Sequence, residues 1–522
     1  MLARIRSAAV LGVEAYPVEV EVDLTPGLPS FATVGLPQGA VKEGRERVNA
    51  ALVNAGYQFP LKRLTVNLAP ADRPKSGSAF DLPIALAILV ASGQLAPDGL
   101  GDLFVVGELG LEGDLRPVRG ALPMAIAARG AGCRGILLPA ESVPEAAVVE
   151  GLEVRGARNL AEVCRHLAGE RVITPTTVDL AALMAERAHD VVDFSDVRSQ
   201  AAAKRALDVA AAGAHNVLLI GPPGSGKTML ARRLPTILPS MALEEALETT
   251  KVHSVAGTLP PGRALCAVRP FRAPHHTISD AGLIGGGSNP RPGEVSLAHG
   301  GVLFLDELPE FRKNVLEVLR QPLEDGVVAL SRAAISLSYP ARFMLAAAMN
   351  PCPCGYFGDP AHQCRCGPLA VDRYLSRVSG PLLDRIDIHL HVPAVGWRDL
   401  TATQLAEPSA AIRARVEAAR RVQRERFRDE PGVFANAHMP PRALRRFCRV
   451  SPPVQALLKA AVTRLGLSAR AYHRILKIAR TIADLEAAAE LEPVHVSEAI
   501  HYRSLDRRRA EGPVSPATMN FS

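Results

Sequence analysis

Apolar and polar residues alternate in short stretches through the first third of the chain. The period of two at residues 15–22 and 63–68 predicts strands with one buried face. Residues 78–91 end in eight consecutive apolar residues, 84–91, which indicates a helix buried on all sides. The same patterns predict further strands at 104–106 and 135–138 and a helix at 122–129.

From residue 194 onwards, fully apolar strands alternate with helical segments, which predicts a parallel sheet covered by helices on both faces. Strands are expected at 216–220, 302–305 and 343–349, followed by a charged helix at 412–429 and three helices within 452–502. We therefore expect an α/β protein with these parts: a mixed domain over residues 1–168, a linker over 169–193, the parallel-sheet domain over 194–400, a helical domain over 401–510 and a tail over 511–522.

The composition is consistent with several folded domains. With 522 residues, 48% of them hydrophobic and 22% charged, the chain has the balance of a soluble globular protein. Its length suits roughly two to four domains. The longest apolar run has eight residues, against the roughly 20 that a membrane-spanning helix needs. No export signal is recognisable, so we expect a cytoplasmic protein without a membrane span.

The formal net charge of +7 is localised. Residues 441–511 contain 14 basic and 7 acidic residues, so the rest of the chain sums to zero. A basic C-terminal region is typical of nucleic-acid binding. Solvated helical faces explain the same charge equally well, and both interpretations stay open at this point.

The segment after the strand at 216–220 carries the most specific motif, formed by Gly221, Pro222, Pro223, Gly224, Ser225, Gly226, Lys227 and Thr228. It is a complete P-loop, GxxxxGK[ST], between an apolar strand and a helical stretch. Backbone N–H groups of such a loop surround phosphate oxygens, and the helix N-terminus adds its dipole. Lys227 is expected to bind the β and γ phosphates of ATP, and the Thr228 hydroxyl to bind Mg²⁺.

Polar residues at two further strand ends complete the predicted ATPase site. Asp306 and Glu307 follow the strand at 302–305. Asp306 is expected to bind Mg²⁺ through water, and Glu307 to polarise the attacking water. Asn350 follows the strand at 343–349, where its side chain would lie beside the γ-phosphate. The motifs together predict ATP hydrolysis.

Three arginines are candidates for contacts with phosphate. Arg385 lies in a turn, LLDRID, from which it could reach the ATP of a neighbouring subunit as an arginine finger. Spacing alone favours instead a local ion pair with Asp384 or Asp387. Arg470 and Arg474 lie four residues apart on one helix face, and either could sense phosphate or be an ordinary surface arginine.

Four of the eight cysteines form two CxC pairs with nine residues between them: Cys352, Cys354, Cys364 and Cys366. In a reducing cytoplasm such a cluster favours metal binding over disulfides. Four thiolates suit tetrahedral zinc, so we predict a structural Zn²⁺ site, with His362 as an alternative ligand. Free thiols are the competing interpretation.

These motifs, in this order, resemble those of the magnesium-chelatase-like AAA+ family, and more closely its YifB/ComM branch. The resemblance rests on the P-loop, LFLDE, AMNPCPCG, LLDRID and SARAYHRILKIARTIADL, and it extends to KSGSAFDLPIALAIL and GELGLEGDLRPVRG near the N-terminus. It implies an AAA+ core with an insert in its second helix, a C-terminal helical lid, and an N-terminal Lon-protease-like domain of the ribosomal-S5-like α+β type.

The resemblance also implies roles for residues and for the whole protein. Asn350 corresponds to sensor 1, Arg385 to the arginine finger, and Arg470 to the better candidate for sensor 2. Members of this branch are described as hexameric DNA helicases that promote branch migration during natural transformation. The implied partners are other copies of the chain and single-stranded or branched DNA, bound without regard to sequence.

The 77 residues between Thr228 and Asp306 are rich in glycine and suit a mobile loop projecting into a ring pore, with Arg272 and Arg291 as its basic residues. The adjacent His275 and His276 are a weak metal signal. Neighbouring residues on a strand point apart, so we expect packing or DNA contact there rather than metal binding.

Ser78 lies at or near the position of the catalytic serine of Lon proteases. Those enzymes also use a lysine after a later strand, and no lysine occurs from residue 107 to 132. Arginine stays protonated and cannot replace it as a base. We therefore expect the fold without the protease. A chelatase-type ATPase that drives metal insertion and an ATP-dependent protease are the competing functions.

Overall fold

The computed structural model describes residues 1–185, 192–287, 290–332, 335–394, 406–430 and 432–503. The first half forms these elements: β1 (Leu2–Leu11), β2 (Glu14–Thr25), β3 (Ser30–Val34), α1 (Ala40–Asn54), β4 (Arg63–Ala69), α2 (Asp81–Ala91), β5 (Leu103–Val105), β6 (Glu108–Leu109), β7 (Leu115–Arg116), α3 (Ala121–Gly130), β8 (Gly135–Pro139), α4 (Val143–Ala146), β9 (Glu153–Ala157), α5 (Leu160–Leu167) and α6 (Leu180–Ala185).

The larger sheet of this half has seven strands in the order β3-β4-β2-β1-β5-β8-β9. It is mixed, because β2 runs antiparallel to β1 and β4 while the remaining neighbours are parallel. Helix α2 lies against it with every residue buried, which confirms the helix predicted from the continuous apolar run. The strands and the α3 helix predicted in this half are also present, with ends shifted by a few residues.

The second half forms α7 (Ala201–Gly213), β10 (Val217–Ile220), α8 (Lys227–Ile237), α9 (Leu243–Ala256), β11 (Phe271–Arg272), α10 (Asp280–Ile284), β12 (Gly285–Gly286), β13 (Arg291–Pro292), α11 (Glu294–Leu297), β14 (Val302–Leu305), α12 (Lys313–Glu317), α13 (Arg320–Asp325), β15 (Val327–Arg332), β16 (Ile335–Pro340), β17 (Met344–Met349), α14 (Pro368–Leu375), α15 (Gly380–Leu383), β18 (Ile388–His391), α16 (Ser409–Arg426), α17 (Pro441–Phe447), α18 (Pro452–Leu465), α19 (Ala469–Leu485) and α20 (Pro493–His501).

Five of these strands form one parallel sheet in the order β11-β14-β17-β10-β18. Successive side chains of its central strands enter two different cores. In β10, for example, Val217 and Leu219 belong to the core beneath α7, α8 and the C-terminal helices, whereas Leu218 and Ile220 belong to the core on the opposite face. Burial on both faces explains why these strands are continuous apolar runs.

The two halves share a core. Met241, Ala246 and Leu265 from the segment around α9 are buried together with residues of α3 and β8. An ion pair between Lys251 and Glu14 (2.8 Å) lies at the edge of the same contact. The described part of the predicted linker is not featureless, since it contains α6, whose Leu183 packs against this core. The predicted tail at 511–522 lies outside the described residues.

Glu145 joins the halves through hydrogen bonds. Its buried carboxylate accepts the backbone N–H of Leu122 (2.8 Å), one of the unpaired N–H groups in the first turn of α3, and the hydroxyl of Ser254 in α9. Burial raises the pKa of this carboxyl group.

We expect Glu145→Ala to lower the free energy of unfolding by about 1–3 kcal/mol, because it leaves buried donors without an acceptor. Urea unfolding followed by circular dichroism measures this change. Glu145→Gln, which keeps the acceptor oxygen, should lose less. Glu141→Ala is the control, since Glu141 is exposed in the same segment. Equal stability of Glu145→Ala and Glu141→Ala would contradict this role.

Candidate functional site

The P-loop lies where β10 ends, between two neighbouring parallel strands. Ile220 is paired with Met349 of β17 on one side and with His391 of β18 on the other. The backbone N–H of Gly221 donates to Met349 O at 3.3 Å, which places the start of the loop beside the end of β17. Helix α8 begins at Lys227, as the motif predicts.

Lys227 points back into the loop. Its ammonium group donates to the carbonyl oxygens of Gly221 (2.9 Å) and Pro222 (2.8 Å) and to the side-chain oxygen of Asn350 (3.2 Å). Burial lowers the pKa of Lys227, and the nearby carboxylate of Asp306 opposes that shift. The structure thus brings Asn350 to the lysine that is predicted to bind the terminal phosphates.

Asp306 lies where the Mg²⁺ prediction requires it. Its carboxylate accepts the Thr228 hydroxyl at 2.6 Å and, through its other oxygen, the backbone N–H of Glu307 at 2.9 Å. Hydroxyl and carboxylate oxygens in direct contact are a ligand pair suited to Mg²⁺. Asp306 directly follows β14 at the carboxyl edge of the sheet, and Thr228 lies in the first turn of α8, next to the phosphate-binding loop.

Glu307 has a left-handed backbone, with φ of +54°, which is uncommon for a residue other than glycine. Its exposed carboxylate lies 3.4 Å from Nδ1 of His276. The rings of His276 and His275 are 4.1 Å apart, so the expectation that these two side chains point apart is wrong. They lie in a turn rather than a strand, and the turn brings both rings to one side.

Arg272 and Arg291 differ in their surroundings. Arg272 belongs to β11 within the parallel sheet and makes two hydrogen bonds to Glu294, at 2.6 and 2.7 Å. The expectation of Arg272 as a loop residue is therefore wrong, because a strand and an ion pair fix it. Arg291 is exposed on the small antiparallel pair β12–β13.

The four clustered cysteines converge as predicted: Cys352, Cys354, Cys364 and Cys366 present their sulfur atoms within 4.8 Å of one another. Cys352 Sγ lies 3.3 Å from that of Cys354 and 3.7 Å from that of Cys364, and the Cys354 and Cys364 sulfurs are 3.6 Å apart. Tetrahedral zinc with Zn–S bonds of about 2.3 Å needs sulfurs about 3.8 Å apart. The donor set therefore fits zinc.

The same loop contacts the P-loop. Gly355 packs against the ring of Pro223 so closely that a Cβ at this position would lie 2.5 Å from Pro223 Cδ. Burial would raise the pKa of the Cys354 thiol, but backbone N–H groups of Tyr356 and Arg365 outweigh it and lower that pKa to about 6. A thiol of low pKa is available as a thiolate ligand.

The candidate arginines lie at the other edge of the sheet. Asn216 precedes β10, and its backbone N–H donates to Asp387, which precedes β18, at 2.9 Å. Arg385 is therefore at the amino ends of the strands, whereas the P-loop is at their carboxyl ends. The four residues of β10 separate the two edges by about 13 Å. Arg385 pairs with Glu324 rather than with Asp384 or Asp387.

Arg470 and Arg474 lie at this same edge but differ in the exposure of their side chains. Arg474 is tied to Asp387 and donates to the carbonyl oxygen of Arg385 at 3.0 Å, with its side chain 21% exposed. Arg470 is 59% exposed and contacts Glu324 at 3.3 Å. Arg474 thus connects α19 to the sheet, while the Arg470 side chain is more exposed to solvent.

Ser78 has a carboxylate rather than a lysine as its partner. Its hydroxyl donates to Glu108, and the ammonium group of the fully buried Lys75 donates to the carbonyl oxygen of Pro70. The Ser78 hydroxyl is therefore hydrogen-bonded to a carboxylate, and the Lys75 ammonium group is hydrogen-bonded to a backbone carbonyl. These contacts do not form the serine–lysine pair of a Lon protease.

Two site contacts were not predicted from the sequence. Glu324, which binds two of the candidate arginines, lies in an unremarkable acidic helix end. Asn216 connects three strands: its side chain accepts the backbone N–H of Leu345 (2.8 Å) and donates to the carbonyl oxygen of Arg385 (3.0 Å). A polar residue directly before the strand that leads to the P-loop was the available signal for Asn216.

The parallel sheet, the P-loop and the acidic strand end define an AAA+-like P-loop ATPase. Three family models match: "Magnesium chelatase, subunit ChlI" over residues 193–400, "Subunit ChlI of Mg-chelatase" over 20–142, and "Magnesium chelatase, subunit ChlI C-terminal" over 406–503. Membership of this class implies ATPase activity with ATP and Mg²⁺.

The chain belongs to the YifB/ComM branch of this magnesium-chelatase-like family. It is 44% identical to the uncharacterized protein YifB of Salmonella typhimurium over 510 residues, which cover 97% of this chain and 98% of that protein. It is 44% identical to the competence protein ComM of Haemophilus influenzae over 509 residues, again 97% and 98%. The magnesium-chelatase 38 kDa subunit of Rhodobacter capsulatus is 25% identical over 349 residues, 63% of this chain and 90% of that subunit.

We expect Glu307→Gln to reduce ATP turnover by roughly 100-fold or more while ATP still binds, because the amide cannot accept a proton from water. Lys227→Ala should instead lose affinity for the nucleotide. Steady-state hydrolysis and binding of a fluorescent ATP analogue separate the two effects. Glu310→Gln is the control, because Glu310 lies on the neighbouring turn and pairs with Arg377. Wild-type turnover in Glu307→Gln would refute the assignment.

Proposed function

We propose that this protein is an ATP-dependent DNA motor that works as a homohexameric ring and promotes branch migration of recombining DNA, as in natural transformation. The observation that carries the proposal is the separation of the P-loop and Arg385 on opposite edges of one parallel sheet. The arginine cannot complete its own ATP site, but it can complete that of a second copy. A ring closes such head-to-tail contacts.

The same separation supports sensor roles for two other residues. Asn350 lies beside Lys227 and would bind the γ-phosphate of its own subunit. Arg470 lies with Arg385 and would bind phosphate across the subunit boundary. In this proposal, residues 194–400 form the ATPase core and residues 1–168 form a Lon-protease-like domain without protease activity. Residues 401–510 form the lid, which contains the helices from Ser409 to His501.

Two observations support DNA as the partner: the similarity to a competence protein and the exposed positive charge of the C-terminal region. The competence protein ComM is a relative over nearly the full length. Part of the C-terminal positive charge is structural, because Lys477 and Arg480 bind backbone carbonyls of their own region. Five other basic residues are exposed on α17, on α18 and in the segment between them: Arg445, Arg446, Arg449, Lys459 and Arg464. Exposed cations on one region suit phosphate contacts that do not read sequence.

Among the described residues, no helix is long and apolar enough to span a membrane. The proposed motor needs two binding sites, one for ATP at the P-loop and one for DNA at the exposed basic residues, and the cytoplasm is its proposed location. Binding energy must then be transmitted from the ATP site to the exposed basic helices, and α19 provides a direct route because Arg474 anchors it at the arginine edge of the sheet.

Fluorescence anisotropy with single-stranded, duplex and branched DNA, in ATP or a non-hydrolysable analogue, tests the proposal. We expect similar affinity for unrelated sequences, a preference for single-stranded or branched forms, and a steep fall of affinity across roughly 50 to 300 mM salt as counterions are released. The salt slope is the slope of the logarithm of affinity against the logarithm of salt concentration. The triple variant Arg445→Ala, Arg446→Ala, Arg449→Ala should reduce its magnitude by about one per lost phosphate contact.

The matched control removes three exposed arginines from the N-terminal half, as Arg158→Ala, Arg165→Ala, Arg171→Ala. It should leave the salt slope unchanged. If the protein bound no DNA form at low salt, the proposal of a DNA motor would be refuted, and only the assignment as an ATPase would remain.

The cysteine cluster is proposed to hold one structural Zn²⁺ through Cys352, Cys354, Cys364 and Cys366. When bound, zinc would supply a rigid crosslink of the loop, without a part in the reaction. The loop follows Asn350 directly and packs on Pro223, so this crosslink would stabilise both the sensor and the P-loop.

We expect metal analysis after purification without chelators to find about one zinc per chain, and none after Cys352→Ser with Cys366→Ser. The double variant should also lose ATP affinity, because the P-loop loses its support. Cys133→Ser, a buried cysteine far along the chain, should retain the metal. A wild-type protein without zinc would refute the site.

A further inference from the structure

One carboxylate binds both arginines that are proposed to contact a second copy. Glu324 lies in the last turn of α13, and its two oxygens accept from different partners: one from Arg385 and the other from Arg470 at 3.3 Å. The hydrogen bond from Arg385 lowers the pKa of Glu324, and the positive charges of Arg470 and Arg474 add to the effect. Glu324 is therefore an anion in this position.

The contact leaves Arg385 poorly accessible. Its side chain is 8% exposed, and the guanidinium group also donates to the carbonyl oxygen of Pro381 at 2.8 Å. Its Nε atom is buried and makes no hydrogen bond. Once Glu324 is displaced, this guanidinium group keeps its contact to Pro381 and has donors free to bind another anion.

A carboxylate and a phosphate compete for guanidinium groups. Both accept the paired N–H donors of arginine, and the two anions repel one another at short distance. Glu324 and the γ-phosphate of a second copy therefore compete for Arg385 and Arg470. The Glu324 side chain is 50% exposed, so it can turn into solvent when it is displaced.

We propose that Glu324 restrains Arg385 and Arg470 until the ATP of a second copy displaces it, so that this residue sets the ATP concentration at which the subunit boundary closes. The inference rests on the proposed ring, in which these two arginines bind phosphate across the boundary. It makes Glu324 a positioning residue, because it acts through the arginines and does not touch the nucleotide.

Steady-state ATP hydrolysis by full-length Glu324→Gln tests the restraint. The amide cannot form the ion pair, so the KM for ATP should fall roughly fivefold, the factor that corresponds to about 1 kcal/mol for a half-exposed ion pair, while kcat stays unchanged. Glu324→Asp keeps the charge on a shorter side chain and should give a KM between the two. Glu317→Gln is the matched control, since Glu317 pairs with Arg320 (2.9 Å) and with neither candidate arginine.

A double-mutant cycle separates this role from a merely structural one. In an Arg385→Ala, Arg470→Ala background, in which turnover is expected to be lost, Glu324→Gln should have no effect on the Kd of a fluorescent ATP analogue, although it should lower that Kd in the wild-type background. Unchanged KM or reduced kcat in Glu324→Gln, with Arg385→Ala inactive, would overturn the restraint while the ring proposal stands. Wild-type turnover in Arg385→Ala would overturn both, because the arginine would then not act across a boundary.

Discussion

All five strands of the ATPase sheet run in one direction, and this constraint divides the chemistry of the molecule between two edges. The carboxyl ends gather the groups that bind phosphate and Mg²⁺, because loops that follow parallel strands meet there. The amino ends gather the arginines. The two edges are thus about 13 Å apart within one copy, and the four residues of β10 fix that separation.

The arginine edge is held by a buried polar network rather than by apolar packing. Asp387 is the centre: it accepts from Asn216 and pairs with Arg474, and the buried His215 lies 3.7 Å away. Burial alone would raise the pKa of Asp387, but Arg474 and His215 hold it well below its usual range. Removing one partner of such a pair costs about 3–5 kcal/mol, so the network fixes α19 firmly against the sheet.

Much of this architecture is predictable from local sequence. The strands of the parallel sheet are apolar runs because both faces are buried, and the P-loop is a contiguous motif whose backbone conformation its glycines permit. The four cysteines lie within fifteen residues, so their convergence needs one short loop. In each case the interacting residues are near one another in the chain, and the pattern itself carries the information.

The remaining contacts join distant segments, and no local pattern encodes them. Glu324 is 61 residues from Arg385 and 146 from Arg470. Arg272 is fixed by an acid 22 residues later, which is why a glycine-rich context wrongly suggested a mobile loop. His275 and His276 were expected to point apart because a strand was assumed, whereas a turn sets their direction. Tertiary packing determines these partners.

The loop after Asn350 shows how a distant site can act on the phosphate-binding loop without touching the nucleotide. Gly355 has φ of +86°, and its lack of a side chain lets the loop backbone lie against the ring of Pro223. Asn350, five residues earlier, reaches Lys227 at 3.2 Å. The loop that begins at Asn350 therefore contacts the P-loop at two points. The four convergent sulfur atoms lie in the same loop, before α14 begins. Any change that loosens the sulfur cluster must alter both contacts together, because Cys352 lies in the chain between them.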